Sequence, residues 1–302
     1  MKDSAVLLID CPDRKGLVAR VSTLLYEWGA NILHADQHQD HDLGLFFMRV
    51  EWALNGAAAN ALEPASSQTL AGFGEPFNLG GFLAAFGPMA EDLGMRWQLG
   101  SSRRRTRVAL FCSQYLHCMA DLLHRWHSGE LDCEIPVIVS NHREVESLAG
   151  FYQIPFEFSP ITVATRAETE QNQLHLLARY GVELVVLARY MQILSPDFVA
   201  RYPASIINVH HSFLPAFSGA RPYHAAHARG VKLIGATSHY VTAVLDDGPI
   251  IEQDVARISH RDQVEDLVAQ GRDLERIVLW RAVRWHLDRR ILCYGNKTVV
   301  FD

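Results

Sequence analysis

Apolar and polar positions along the first hundred residues fall into an order that outlines a small domain. Residues 4–10 (SAVLLID) predict a short apolar strand, and residues 11–16 a turn. A period of 3.6 then sets Val18, Val21, Leu24 and Leu25 on one helix face, with Gly29 in the position that commonly ends a helix. Residues 31–39 and 45–52 alternate as two strands joined by a polar turn at 41–44. A second helix over 79–93 and a strand over 95–99 complete a βαββαβ order, which is ferredoxin-like. The intervening 54–76, rich in Ala, Ser, Gly and Asn, predicts an insertion.

Residues 101–107 are polar and basic, and hydrophobic periodicity restarts after them. The expected division is therefore a domain over 1–100, a linker over 101–107 and a larger domain over 108–302. In the larger part, predicted strands at 108–112, 135–140 and 182–188 alternate with predicted helices at 117–126, 144–152 and 168–180. This alternation predicts an α/β domain with a mostly parallel sheet and helices on both faces. Residues 263–290 predict a long amphipathic helix or a pair that covers the sheet, and 298–300 a closing strand. No Gly-x-Gly-x-x-Gly occurs, so a dinucleotide is not expected.

The chemistry concentrates in 205–253. Alternation over 206–210 points Asn208 and His210 to one strand face, and Ser212, Leu214 and Pro215 follow in a loop. A second strand-like run, 235–244, carries His239 and leads to Asp246 in the next loop, able to face the first pair. An Asn amide can hold a developing oxyanion, a His can move a proton near neutral pH, and an Asp can orient the His or a water. The same types equally suit a satisfied buried polar group, so the residues alone leave both readings open.

Bulk properties narrow the classes. A net charge of −6 and a pI near 6.2 offer nothing to nucleic acid or an anionic membrane, and the longest basic run is Arg103, Arg104 and Arg105. No apolar run approaches the ~18 residues of a membrane span. The N-terminal run 5–9 is too short for a signal peptide, so a cytoplasmic location is expected. Five cysteines without a CxxC spacing predict neither a disulfide framework nor a zinc ribbon. His34, His38 and His41 lack a partner cysteine or carboxylate pattern and predict solvated histidines, so no metal is expected.

Two resemblances sharpen this reading. The segment Asp10 to Val18 (DCPDRKGLV) resembles the start of an ACT domain. That implies a regulatory module with an amino-acid effector and self-association into a homo-oligomer, although a glycine at position 16 also simply permits the turn. Asn208-Val209-His210, the SFLP of 212–215 and the LDDGP of 245–249 resemble the folate-dependent formyltransferases. HHSFLPAF at 210–217, GARPYH at 219–224 and GATSHYV at 235–241 resemble their hydrolytic branch, the formyltetrahydrofolate deformylases.

The resemblance spans essentially the whole chain and implies a Rossmann-like catalytic domain that hydrolyses 10-formyltetrahydrofolate. It makes Asn208, His210 and Asp246 catalytic, His239 a supporting partner, and Met191, Gln192, Ile193 and Leu194 the residues that hold the folate pterin. The formyl carbon is already activated on a weakly basic nitrogen, so no cofactor is expected and the folate is the substrate. The alternative is formyl transfer to an amine. Relatives that formylate a phosphorylated amine resemble one another in a Gly- and Asn-rich turn after the first strand of this domain; here that turn, 112–117 (CSQYLH), has no glycine.

Overall fold

The structure, a computed structural model, describes residues 3–54, 77–215 and 222–301. The predicted insertion, from 55 onward, and residues 216–221 of the motif loop lie outside the described residues. The chain divides into two compact units, one reaching Arg104 and including Phe301, the other Arg105–Val300.

The first unit contains β1 (Ser4–Pro12), α1 (Leu17–Glu27), β2 (Asn31–Asp40), β3 (Leu45–Ala53), α2 (Leu79–Leu93) and β4 (Arg96–Ser101). They form an antiparallel sheet in the order β2-β3-β1-β4. Leu7 and Ile9 of β1 pack with Val21 and Leu25 of α1 and with Phe82 and Phe86 of α2. Gly16 precedes α1 with φ 90° and Gly94 closes α2 with φ 62°, left-handed conformations that a Cβ disfavours. His34, His38 and His41 are exposed.

The second unit runs through β5 (Thr106–Cys112), α3 (His117–His127), β6 (Cys133–Ser140), α4 (Glu146–Phe151), β7 (Phe156–Phe158), α5 (Arg166–Arg179) and β8 (Leu184–Leu187). It continues with α6 (Pro196–Ala200), β9 (Ile206–His210), α7 (Pro222–Arg229), β10 (Leu233–Tyr240), β11 (Ile250–Arg257), α8 (Val264–Leu287), β12 (Ile291–Tyr294) and β13 (Lys297–Val300). Seven strands form one sheet, β11-β10-β9-β8-β5-β6-β7, and β12 pairs with β13 in a hairpin. The pairings from β9 to β7 are parallel, and β10 and β11 are antiparallel. The chain leaves β5 toward β6 and β7 and returns to β8 on the other side, so the ends of β5 and β8 form the crevice where open α/β sheets bind ligands.

Strand alternation divides the core. Val108, Leu110, Val186, Ile207 and Val209 pack under Leu122 of α3 and Val278 and Ala282 of α8. Ala109, Phe111, Val185 and Ile206 face Leu177 of α5 and Phe198 of α6. Several boundaries differ from the sequence-based expectation. Phe156, Glu157 and Phe158 form an added edge strand too short to show a period, so β8 is the fourth strand and not the third. The run at 235–244 stays in the sheet only to Tyr240, and 263–290 holds one helix, α8. No helix among the described residues is long and apolar enough to cross a membrane.

Candidate active site

Because Ile207 and Val209 turn to the α3–α8 core, Asn208 and His210 occupy the opposite face of β9. The antiparallel register sets His239 across from Asn208 and Thr237 across from His210, giving a square of polar groups on that face. Thr237 secures the chain after β9: its hydroxyl donates to the Ser212 carbonyl at 2.9 Å and accepts from the Leu214 N–H at 3.1 Å.

His239 is 2% exposed, and burial lowers its pKa. Its Nδ1 lies 2.9 Å from the Tyr240 carbonyl oxygen and so carries the proton; Nε2, with a lone pair, accepts from Asn208 Nδ2 at 3.2 Å. That bond fixes which way the Asn208 amide turns. His239 thus orients Asn208.

Asp246 reaches this face because the 241–249 loop folds back over the strands. A Cβ on Gly248 would stand 1.7 Å from the Tyr240 carbonyl oxygen, so the return requires glycine. Asp246 itself has φ 55°, a conformation Asp tolerates better than most residues. Its Oδ2 is 3.2 Å from His210 Nδ1 and its Oδ1 3.8 Å from His239 Nε2. The hydrogen bond from His210 holds the carboxyl below the usual range against the opposing effect of burial, with the neighbouring imidazoles adding to it. Asp247 is exposed beside it. His210 Nε2, the other ring nitrogen, is buried and has no hydrogen-bond partner among the described residues.

These groups border a cavity of about 500 Å³, a common size for a small-molecule site. Residues 189–194 and 241–246 line it with Asn208, His210 and His239. Met191 and Ile193 are exposed, Gln192 is half-buried, and Leu194 borders the cavity with its side chain in the core. The backbone here is pinned: Ser113 Oγ accepts the Met191 N–H at 3.0 Å, Arg166 donates to the Ile193 carbonyl, and Glu170 Oε1 accepts the Ser195 N–H at 3.2 Å. Ser113 lies in the glycine-free turn after β5 and is itself tied to Asn141 at 2.7 Å.

Three further side chains neighbour these groups. His211 stacks on His210 with ring centroids 5.0 Å apart, and burial, with the charges of Arg189 and His210, lowers its pKa to about 4. Arg189, two residues past β8, has φ 64° and lines the cavity. Glu275, 1% exposed, accepts from His117 Nε2 at 2.7 Å and from Tyr223 Oη at 2.9 Å, and lies 3.5 Å from Arg189 Nε. The legible signal was a carboxylate in the buried stripe of α8, four residues from Gly271 and from Leu279. His117, Cys118 and Glu275 hold donor atoms within 4.8 Å of one another, yet Arg189 supplies the positive charge there that a metal ion would bring.

Residues 106–283 match the Formyl transferase family and residues 5–51 the ACT domain. A formyltetrahydrofolate deformylase of Synechocystis sp. is 51% identical over 298 residues, which cover 99% of this chain and 98% of the relative. The crystal structure of a formyltetrahydrofolate deformylase from Pseudomonas syringae superposes with a TM-score of 0.91 at 46% identity, covering 100% of this chain and 95% of that one. A glycinamide ribonucleotide transformylase from Symbiobacterium toebii is 28% identical with a TM-score of 0.61, covering 66% of this chain and 95% of its own. An ACT domain followed by a formyltransferase domain, similar over nearly full length to these deformylases, makes this chain a member of the formyltetrahydrofolate deformylase family.

Proposed function

We propose that the chain hydrolyses 10-formyltetrahydrofolate to tetrahydrofolate and formate, with Asn208, His210 and Asp246 as the catalytic residues. The observation that carries the reading is the Asp246 carboxylate at the cavity wall, 3.2 Å from His210 and still 19% exposed, so that a water can reach it. In the proposed mechanism the oxygen of that water attacks the formyl carbon. The carbonyl electrons move to the oxygen, which Asn208 Nδ2 and protonated His210 stabilise. Asp246 orients the water and takes its proton, the C–N bond breaks, and the folate nitrogen recovers a proton as it leaves. Formate departs as an anion, and one proton is released to solvent. Every step uses groups of the chain, so the reading invokes no cofactor.

Met191, Gln192, Ile193 and Leu194 hold the pterin in this reading, supported by their place along the cavity and by the pinned backbone. The separate cores of the two units support a regulatory domain over 1–100, a linker over 101–107 and a catalytic domain over 108–302. An amino-acid effector and self-association belong to the ACT domain, and the protein works in the cytoplasm. The test is purified protein with 10-formyltetrahydrofolate and no amine. Formate and tetrahydrofolate appearing in equal amounts is the expected result, and no formate without an amine would end the reading.

A further inference from the structure

Arg189 stands at the crevice between the ends of β5 and β8. Its carbonyl accepts the Ser113 N–H at 3.2 Å, which ties it to the turn after β5, and its side chain is 11% exposed. Among the described residues that line the cavity it is the one Arg or Lys. Its guanidinium carbon lies 5.3 Å over the Tyr115 ring. Its charge is only partly answered. Nε is 3.5 Å from Glu275 Oε2 without a completed hydrogen bond, while His117 and Tyr223 hold that carboxylate at 2.7 and 2.9 Å.

A largely buried guanidinium in the cavity wall, whose counter-ion is also held by two other donors, suits an anion that the reaction itself brings into the cavity. Formyl transfer would turn one amide into another and create none. Hydrolysis creates a carboxylate beside His210, and a guanidinium pairs with a carboxylate through two parallel N–H···O bonds. We infer that Arg189 is the product-binding residue that receives formate as it leaves the formyl site, with Glu275 holding the guanidinium in place and tempering its grip. This rests on the hydrolytic reading above. An arginine fully neutralised by Glu275 would not draw the anion, and one with no counter-charge would retain it.

The test uses the full-length protein, with sodium formate as the probe. The inhibition constant of formate against 10-formyltetrahydrofolate turnover and the broadening of a ¹³C-formate resonance are both measured. Arg189→Met should raise the formate constant about 10-fold or more, as expected for loss of a charge-assisted pair, with a smaller change in substrate KM. Glu275→Gln should move it the other way, because the competing anion is gone and Tyr223 and His117 keep a hydrogen-bonding partner. Should Arg189→Met not fold, Arg189→Lys, which keeps the charge and loses the planar fork, should still weaken formate. Unchanged formate constants in both Arg189 variants would overturn the inference. So would a KM that rises by the same factor, since Arg189 would then hold a carboxylate of the substrate, or weaker formate binding in Glu275→Gln. Wild-type enzyme that releases formate yet neither binds nor is inhibited by it defeats this inference alone. Wild-type enzyme that releases none defeats the hydrolytic reading with it.

Discussion

Asp246 combines a left-handed backbone, φ 55°, with a carboxylate 3.2 Å from His210, so a replacement must respect both. Asn does, because it tolerates the same conformation and keeps the shape. Asp246→Asn should therefore fold and bind folate while turnover falls about 100-fold or more, as formate release and circular dichroism would check. Near wild-type turnover would move the role to Asp247 or elsewhere. The same residue predicts a pH dependence. Its pKa is lowered in the folded chain, so its contribution to stability is present above the ordinary carboxylate value and disappears as pH falls through the folded one. Chemical denaturation of wild type and Asp246→Asn should show a gap at about pH 5 that shrinks as pH falls below about 4. A gap that grows as pH falls below about 4 would contradict the ionised state. Asn208 and His210 were legible because strand alternation at 206–210 is strict and both are polar. Arg189 was not, since a charge just past a strand declares its burial only once tertiary packing surrounds it, and the one signal for Glu275 was its place in the apolar stripe of α8.

The loop between β10 and β11 carries Asp246 to His210, and its turn depends on Gly248. Gly248→Ala cannot keep a Cβ 1.7 Å from the Tyr240 carbonyl oxygen, so the loop must shift. Displacing a catalytic group by about 1 Å costs on the order of 100-fold. The predicted result is a loss of kcat of that order with little change in the thermal midpoint, measured by formate release and calorimetry. Full activity would mean the loop does not position Asp246. The sequence overextended β10 to 244 because Val241 and Val244 prolong the apolar run, although the last sheet bond is from the Val241 N–H to the Ile206 carbonyl. It concealed β11 behind Glu252, Gln253 and Asp254, polar residues tolerated on an edge strand. Helix α6 is only five residues long, and its signal was the cap: Ser195 accepts the Phe198 N–H, followed by Pro196.

The two units each bury their own apolar set, and β4 ends at Ser101 before β5 begins at Thr106. Expressing the chain from the β4–β5 connection onward should give a folded domain that still hydrolyses 10-formyltetrahydrofolate. The truncated protein should differ in amino-acid response or in oligomeric size, read by kinetics and light scattering. If kinetics, response and size all persisted, the N-terminal unit would have no regulatory part. The boundary of the two units at Arg104 and Arg105 falls within the basic stretch where hydrophobic periodicity stops and restarts; the antiparallel β10 and β11 were not legible, because register is set by pairing partners far apart in sequence. In the whole enzyme, water oriented by Asp246 is the proposed acceptor of the formyl group. The most direct measurement is turnover of 10-formyltetrahydrofolate in ¹⁸O-labelled water without any amine, with the formate analysed by mass spectrometry. The prediction is formate carrying one solvent oxygen, formed in step with tetrahydrofolate. Formate without the label, or formate that appears only when an amine is supplied, would contradict it.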